Sequence, residues 1–289
     1  AGGFRTDEAG RRKRHRYKNE AVGKEFLMKT YLLEEMTWTE IREAVEQGAD
    51  TVIICAASVE QHGPALPENT DTILGYAEAS DLAKRLGNAL AAPVIRPGLS
   101  AHHMCFPGSV TLRPEVFEMV VEDYVQSYVQ HGFRRIVLIS SHGGNFRALE
   151  EIAGRLCEKY PEACIVTGCS LDELDASLAE MEQAEGLREG TCGGHACDWE
   201  TSVMMYLDET FVRKDRLQTG YVGPLTGELL ARFFKEGVES VSPIGVMGDP
   251  VNADRERGKR YFYHLQDMQE KAVRDHIRRW EAQKCAQKK

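Results

Sequence analysis

The sequence predicts an α/β fold, a three-layer sandwich with a mostly parallel sheet covered by helices on both faces. Two observations carry this. Short β-rich apolar runs alternate with stretches of helical periodicity along the chain, and parallel strands need crossovers of about a dozen residues or more. The runs are also continuous rather than alternating, as in strands buried on both faces.

Each element follows in order. Thr37 to Gly48 reads as a helix with Thr37 as its cap, and Thr51 to Ala57 as a buried strand. Asp71 to Leu86 is helical by periodicity, and Ala92 to Ile95 is the next strand. Pro114 suits the first position of a helix reaching Gln130. Arg135 to Ser140 is a strand, Asn145 is expected to cap a helix to about Tyr160, and Ala163 to Gly168 is a strand. Leu171 to Glu185 is helical, and Glu200 to Tyr206 is ordered and apolar. A helix from after Pro224 to about Gly237, a Gly-containing stretch Pro243 to Pro250 and a last helix from about Asn252 to Gln283 complete the chain.

Of the formal net charge of -9, residues 1–24 contribute +5 and the remainder -14. Residues 1–28 are therefore expected to be a disordered basic tail or leader, and 29–289 a single domain. The acidic remainder argues against nucleic-acid binding. No apolar run approaches the ~20 residues that cross a bilayer. Eight scattered cysteines without a CxxC pair fit reduced thiols in a cytoplasmic protein.

Chemistry belongs at the carboxyl ends of parallel strands, where ligands bind. Past the first strand come Glu60 and His62. In an extended chain both point one way and Gln61 the other, making a carboxylate and an imidazole a ready pair of metal ligands. Asp71 opens the following helix, as a cap or as a group turned back toward the strand end. After the strand Arg135 to Ser140 comes His142-Gly143-Gly144-Asn145, where the glycines allow close backbone approach. His195 and Glu200 stand together later, and His102 and His103 lie in a Gly/Pro-containing loop. Near His195, Cys192 and Cys197 offer the competing reading of a structural zinc site. No GxSxG, Walker A or GxGxxG motif is present, so a metal-assisted hydrolase gains over serine-hydrolase and nucleotide readings.

Glu60-x-His62-Gly63 with Leu66-Pro67 and Thr70-Asp71, then Phe106-Pro107-Gly108, His142-Gly143-Gly144-Asn145, His195 with Glu200-Thr201-Ser202, and Gly248-Asp249-Pro250 follow one another in order. Together they resemble the creatininase family over about residues 30 to 270. The resemblance implies a dinuclear site for divalent metal (Zn, Mn or Fe(II)), hydrolysis of small and often cyclic substrates, and a homo-oligomer, often a hexamer. It implies Glu60 and His62 as ligands to different metals, Asp71 as the bridge, His142 as a further ligand and His195 as the group that handles the proton. His103, Ser109 and Thr191 are expected to shape the substrate pocket.

Creatininase carries a glutamate ligand two residues beyond its metal-binding histidine; here that position is Gly144, and Glu200 is the candidate replacement. Creatininase also covers its substrate with two tryptophans, whereas the corresponding stretches near Ser170, Leu171 and Thr191 hold none, which argues against creatinine. Relatives with the His-Gly-Gly-Asn form cleave formamides, process a peptide or open a diketo-inositol ring. The expected reaction is therefore amide or formamide cleavage or ring opening. Hydrolytic C–C cleavage of a cyclic diketone and a non-catalytic ligand-binding relative are the alternatives.

Overall fold

The computed structural model describes residues 15–18, 25–28, 30–224 and 226–287. The expected basic tail lies outside them, apart from two short strands, β1 (His15–Lys18) and β2 (Glu25–Met28), paired antiparallel.

The central sheet is four-stranded and wholly parallel, in the order β4-β3-β5-β6, with β3 at Thr51–Ala56, β4 at Ala89–Ala91, β5 at Arg135–Ser140 and β6 at Cys164–Thr167. Thr51 pairs with Ala89 on one side and Arg135 on the other. All six residues of β3 are buried, because helices cover both faces of the sheet. Each Val, Leu or Ile so buried contributes about 1.5–3 kcal/mol.

Helix α1 (Trp38–Glu46) starts on a reciprocal cap: Glu40 N–H donates to the Thr37 hydroxyl and Thr37 N–H to the Glu40 carboxylate. Helix α2 (Thr70–Leu86) carries the chain from β3 out to β4, and α3 (Pro114–Gln130) brings it back across β3 to β5. Helix α4 (Phe146–Lys159) then leads to β6. Right-handed crossovers put α2 on one face and α3 with α4 on the other. Between β3 and β5 the chain therefore leaves in opposite directions, and a crevice opens at their carboxyl ends.

Helix α5 (Leu171–Ala184) is capped by Ser170 and Glu173 in the manner of α1. Helix α6 (Asp198–Asp208) accounts for the apolar stretch Glu200 to Tyr206. It packs against α8 (Arg255–Gln287), where Arg257 donates to both oxygens of buried Asp198 at 2.9 and 2.7 Å. Helix α7 (Gly227–Glu236) lies between them in sequence and sets Phe233 against His102, ring centres 4.9 Å apart.

Two expectations need correction. The strand expected at Ala92 to Ile95 forms at Ala89–Ala91 instead. Pro93 has no N–H for a ladder, and only Ile95 rejoins the sheet, through a single bridge to Ala56. Asn145 makes no cap bond to α4. Its amide donates to the Ala56 and Ala57 carbonyls at 3.2 and 3.1 Å, and its oxygen accepts Leu99 N–H at 3.0 Å. It clamps the ends of β3 and β5 to the Gly98–Ser100 loop. Among the described residues no helix is long and apolar enough to cross a membrane.

Candidate metal centre

The crevice gathers Glu60, His62, Asp71, His142, His195 and Glu200, all buried. Glu60 and His62 follow β3, Asp71 sits in the first turn of α2, His142 follows β5, and Glu200 is in the first turn of α6. His195 precedes that helix through Ala196, whose φ of 51° lies in the left-handed region and turns the chain sharply between them. Ala196 N–H donates to Glu200 Oε2.

The hydrogen bonds of the three principal histidines share a pattern. A backbone carbonyl only accepts, so the ring nitrogen facing it carries the hydrogen. His62 donates from Nδ1 to its near neighbour's carbonyl, that of Glu60, at 3.0 Å. His142 donates from Nε2 to Leu99 at 3.1 Å and His195 from Nε2 to Gln61 at 2.7 Å. The opposite nitrogens all turn to carboxylates. His62 Nε2 lies 3.1 Å from Asp71 Oδ1 and 3.7 Å from Glu200 Oε1. His142 Nδ1 lies 3.2 Å from Glu60 Oε1 and 3.6 Å from Asp71 Oδ2, and His195 Nδ1 is 3.8 Å from Glu60 Oε1.

His103 is set the other way round. The Gln61 amide has two hydrogens, and three acceptor-capable atoms lie near it: Gly245 O at 3.2 Å, His103 Nδ1 at 2.9 Å and His195 Nε2 at 3.0 Å. The last is already a donor to the Gln61 carbonyl, so the amide hydrogens go to Gly245 and His103. His103 Nδ1 thus accepts, and its Nε2–H faces Glu60 Oε1 at 3.3 Å.

Charge in this pocket is tightly balanced. Burial opposes ionisation of Glu60, but His142, His103 and His195 outweigh it and hold its carboxyl well below the usual range. Burial likewise opposes a charged His62, yet Asp71 and Glu200 drive it well above the ordinary imidazole value. His142, despite burial, is lifted to about 9 by Glu60 and Asp71. His195 is pushed down to about 4 by burial and by His62. Asp71 is raised, by burial first.

These residues fit a cation. Glu60 Oε1 and Asp71 Oδ2 are buried and make no well-aligned hydrogen bond, their nearest polar neighbours being imidazole nitrogens 3.2–3.6 Å away, and buried acceptors so placed cost about 1–3 kcal/mol each unless something answers them. Three groups have ligand atoms within 4.8 Å of one another: Glu60, Asp71 and His142; His62, Asp71 and Glu200; and Glu60, His62 and His195. The backbone carbonyls behind the imidazoles provide the orientation that metal-ligating histidines need. Among the described residues no cysteine joins such a group. Cys197 is buried, and the Cys192 thiol lies 3.7 Å from the Tyr261 hydroxyl, so the structural Cys/His zinc reading is not supported.

Ser109 enters through its hydroxyl, which accepts Gln61 N–H at 3.0 Å. Thr191 acts through its backbone: its carbonyl accepts Asp198 N–H at 3.4 Å and Asp249 N–H at 3.0 Å. The Gly248-Asp249-Pro250 motif thus braces the loop before His195, and a Cβ on Gly248 would meet Cys197 Cβ at 2.4 Å. Gly144 is equally constrained, since a Cβ there would lie 2.5 Å from His142 Nε2 and 2.6 Å from Leu99 O. The residue the sequence reading placed wrongly is Gln61, expected to point away and found 4% exposed against His103 and His195. The chain leaves the extended path at Gly63, where φ is 61°, so strict alternation does not hold there.

The sequence profile of the family described as Creatininase: Creatinine amidohydrolase matches residues 34–273. The mycofactocin precursor peptide peptidase of Mycolicibacterium smegmatis is 32% identical over 235 residues, covering 80% of this chain and 85% of that protein. The 3-dehydro-scyllo-inosose hydrolase of Thermotoga maritima is 28% identical over 265 residues, covering 86% and 84%. A solved structure named Creatininase Mn shares the fold at a TM-score of 0.72 and 24% identity, covering 86% of this chain and 99% of that one.

Proposed function

This chain belongs to the creatininase family, and from that membership we propose that it is a divalent-metal-dependent hydrolase that cleaves an amide-type C–N bond in a small substrate. The observation that carries the reading is the set of three buried imidazoles, each tied to a backbone carbonyl and each turning its other nitrogen to carboxylates.

Two ions would be held here, one by Glu60, Asp71 and His142 and the other by His62, Asp71 and Glu200, with Asp71 common to both groups. Nitrogen and carboxylate donors suit zinc, manganese or Fe(II), and creatininase structures named for zinc and manganese exist. Bound there, such ions supply Lewis acidity and lower the pKa of a coordinated water from ~15.7 to about 7.

The protein's own groups handle the rest. His195, kept neutral by burial, takes the proton of the attacking water at Nδ1 and returns it to the leaving nitrogen, a task worth ~100- to 10,000-fold. His103 offers an N–H beside the same centre, and Gln61 holds both rings in these tautomers. Phe233 packs on His102 and His103, ring centres 4.9 and 6.1 Å away, and keeps solvent from that side. The eight cysteines are free, which agrees with a cytoplasmic location, and a homo-oligomer is proposed from the family resemblance alone.

The test is metal content per chain by elemental analysis, followed by a hydrolysis panel of formamides, cyclic amides, short peptides and cyclic diketones. Two equivalents and turnover of an amide are expected. Turnover of the diketones alone would replace C–N by C–C cleavage, and no metal uptake from added zinc, manganese or Fe(II) would sink the reading.

A further inference from the structure

Two of the ligand candidates are held from one short segment. Leu99 and Ser100 lie between β4 and α3, and the Leu99 carbonyl accepts His142 Nε2–H at 3.1 Å. Ser100 reaches Glu60 through a second hydroxyl: Ser58 Oγ donates to Glu60 Oε2 at 2.9 Å, and the hydroxyls of Ser58 and Ser100 are hydrogen-bonded to each other. Ser58, Ser100 and Glu60 are all 0% exposed, so these bonds are closed off from bulk water.

Each hydroxyl has one hydrogen, and a carboxylate only accepts. The Ser58 hydrogen goes to Glu60, so the bond between the serines takes its hydrogen from Ser100. The chain therefore runs one way, from Ser100 through Ser58 to Glu60, and each donor strengthens the next. It occupies Oε2 and leaves Oε1, the oxygen that faces His142, His103 and His195, for a cation. The segment itself is pinned: Asn145 Oδ1 accepts Leu99 N–H at 3.0 Å, Thr111 Oγ1 accepts Ser100 N–H at 2.9 Å, and the Ser100 carbonyl accepts His103 N–H at 2.9 Å.

The unshared ligands of the other group are anchored elsewhere, His62 by the backbone carbonyl of Glu60 and Glu200 by Ala196 N–H. We infer that Ser58 and Ser100 are positioning residues for one ion of the pair, the one held by Glu60, Asp71 and His142, and that the Leu99–Ser100 segment sets the affinity of that ion independently of the other. The inference rests on the dinuclear reading above. Serines that only satisfied buried polar atoms would leave metal affinity alone or, by loosening the fold, change both sites together.

The experiment is calorimetric titration of zinc into the metal-stripped full chain, in two backgrounds. Glu200→Ala leaves the site of Glu60 and His142, and His142→Ala leaves the site of His62 and Glu200. In the Glu200→Ala background, Ser58→Ala is expected to weaken zinc about 10- to 100-fold, as loss of a partner behind a metal ligand does. Ser100→Ala should weaken it about two- to tenfold there, the effect of one neutral hydrogen bond. In the His142→Ala background both substitutions should leave zinc affinity unchanged, which also shows that the variants fold. With cobalt(II) in place of zinc, Ser58→Ala should alter the visible absorption of the bound ion in the first background and not in the second. Weakening of both sites alike, weakening of neither, or a larger loss for Ser100→Ala than for Ser58→Ala would overturn the inference. If the wild type takes up two zinc ions and this selectivity fails, the inference falls and the hydrolase reading stands; no uptake by the wild type removes both.

Discussion

Gln61 stands between Glu60 and His62 and contributes its side chain, its N–H and its carbonyl to the same centre. Replacing it with Leu leaves every proposed metal ligand in place and frees His103 to take the other tautomer. Gln61→Leu is therefore expected to lower kcat by about 10- to 100-fold, within the range of lost proton-transfer catalysis, with metal content unchanged; loss of metal would instead make Gln61 a scaffold residue. Glu78 gives a pH signature. Its folded-state pKa of about 8 lies above the usual carboxyl value, so the native state holds a proton there that the unfolded chain releases. The resulting stability is full below about pH 4.5 and is lost as pH rises through about 8. Metal-free wild type should thus lose stability relative to Glu78→Gln between those limits, as read from denaturant midpoints, and parallel curves would refute the shift. Glu60 and His62 were legible because two-residue spacing after a strand has a direct geometric meaning. Gln61 was not, because the turn at Gly63 is a tertiary feature that no local pattern announces.

At the level of elements, the strands legible in sequence are those rich in β-branched residues, as in Thr51-Val52-Ile53-Ile54. The short β4 is Ala-Leu-Ala and has no such signal; its place in the sheet comes from pairing with β3. Helix α6 was visible only as an ordered stretch because Cys197, before its first residue, makes no side-chain cap bond. Its position depends instead on α8. A Cβ on Gly258 would lie 1.8 Å from the Ser202 carbonyl oxygen, so Gly258→Ala must force the two helices apart. A cost of about 1–3 kcal/mol is expected from such overpacking. Because Glu200 rides on α6, one metal should also bind more weakly while the other stays. Thr37→Ala is the control: loss of the α1 cap should cost about 1 kcal/mol and leave metal titrations unchanged. Calorimetry and metal titration of the two variants separate these outcomes.

For the whole molecule, the ligand candidates come from three separate crossings of the sheet edge, after β3, after β5 and at the start of α6. Alternation of strand and helix made the fold class readable, and the family motifs singled out most of the residues that the fold gathers at the candidate centre. The shared position of Asp71 depended on α2 turning its first residues back over β3, which only the assembled sheet provides. Metal should consequently stabilise the entire fold. A free ion at 100 times its Kd adds about 2.7 kcal/mol, so chelation is expected to lower Tm and resupply to restore it. Asp71→Ala should abolish that response at both sites and Glu200→Ala at one. A Tm indifferent to chelator in the wild type would show that the centre folds without ions.

Gly144 bears on how such a centre can change over descent. Any side chain there would drive between His142 and the Leu99 carbonyl that holds it. A carboxylate introduced there would therefore displace His142, a candidate ligand, before it could offer another donor. An acidic donor beside this histidine requires the Gly98–Ser100 loop to move first. With that loop where it is, one missing methyl group leaves the acidic donor to come from elsewhere, and Glu200 in the first turn of α6 is the candidate in reach.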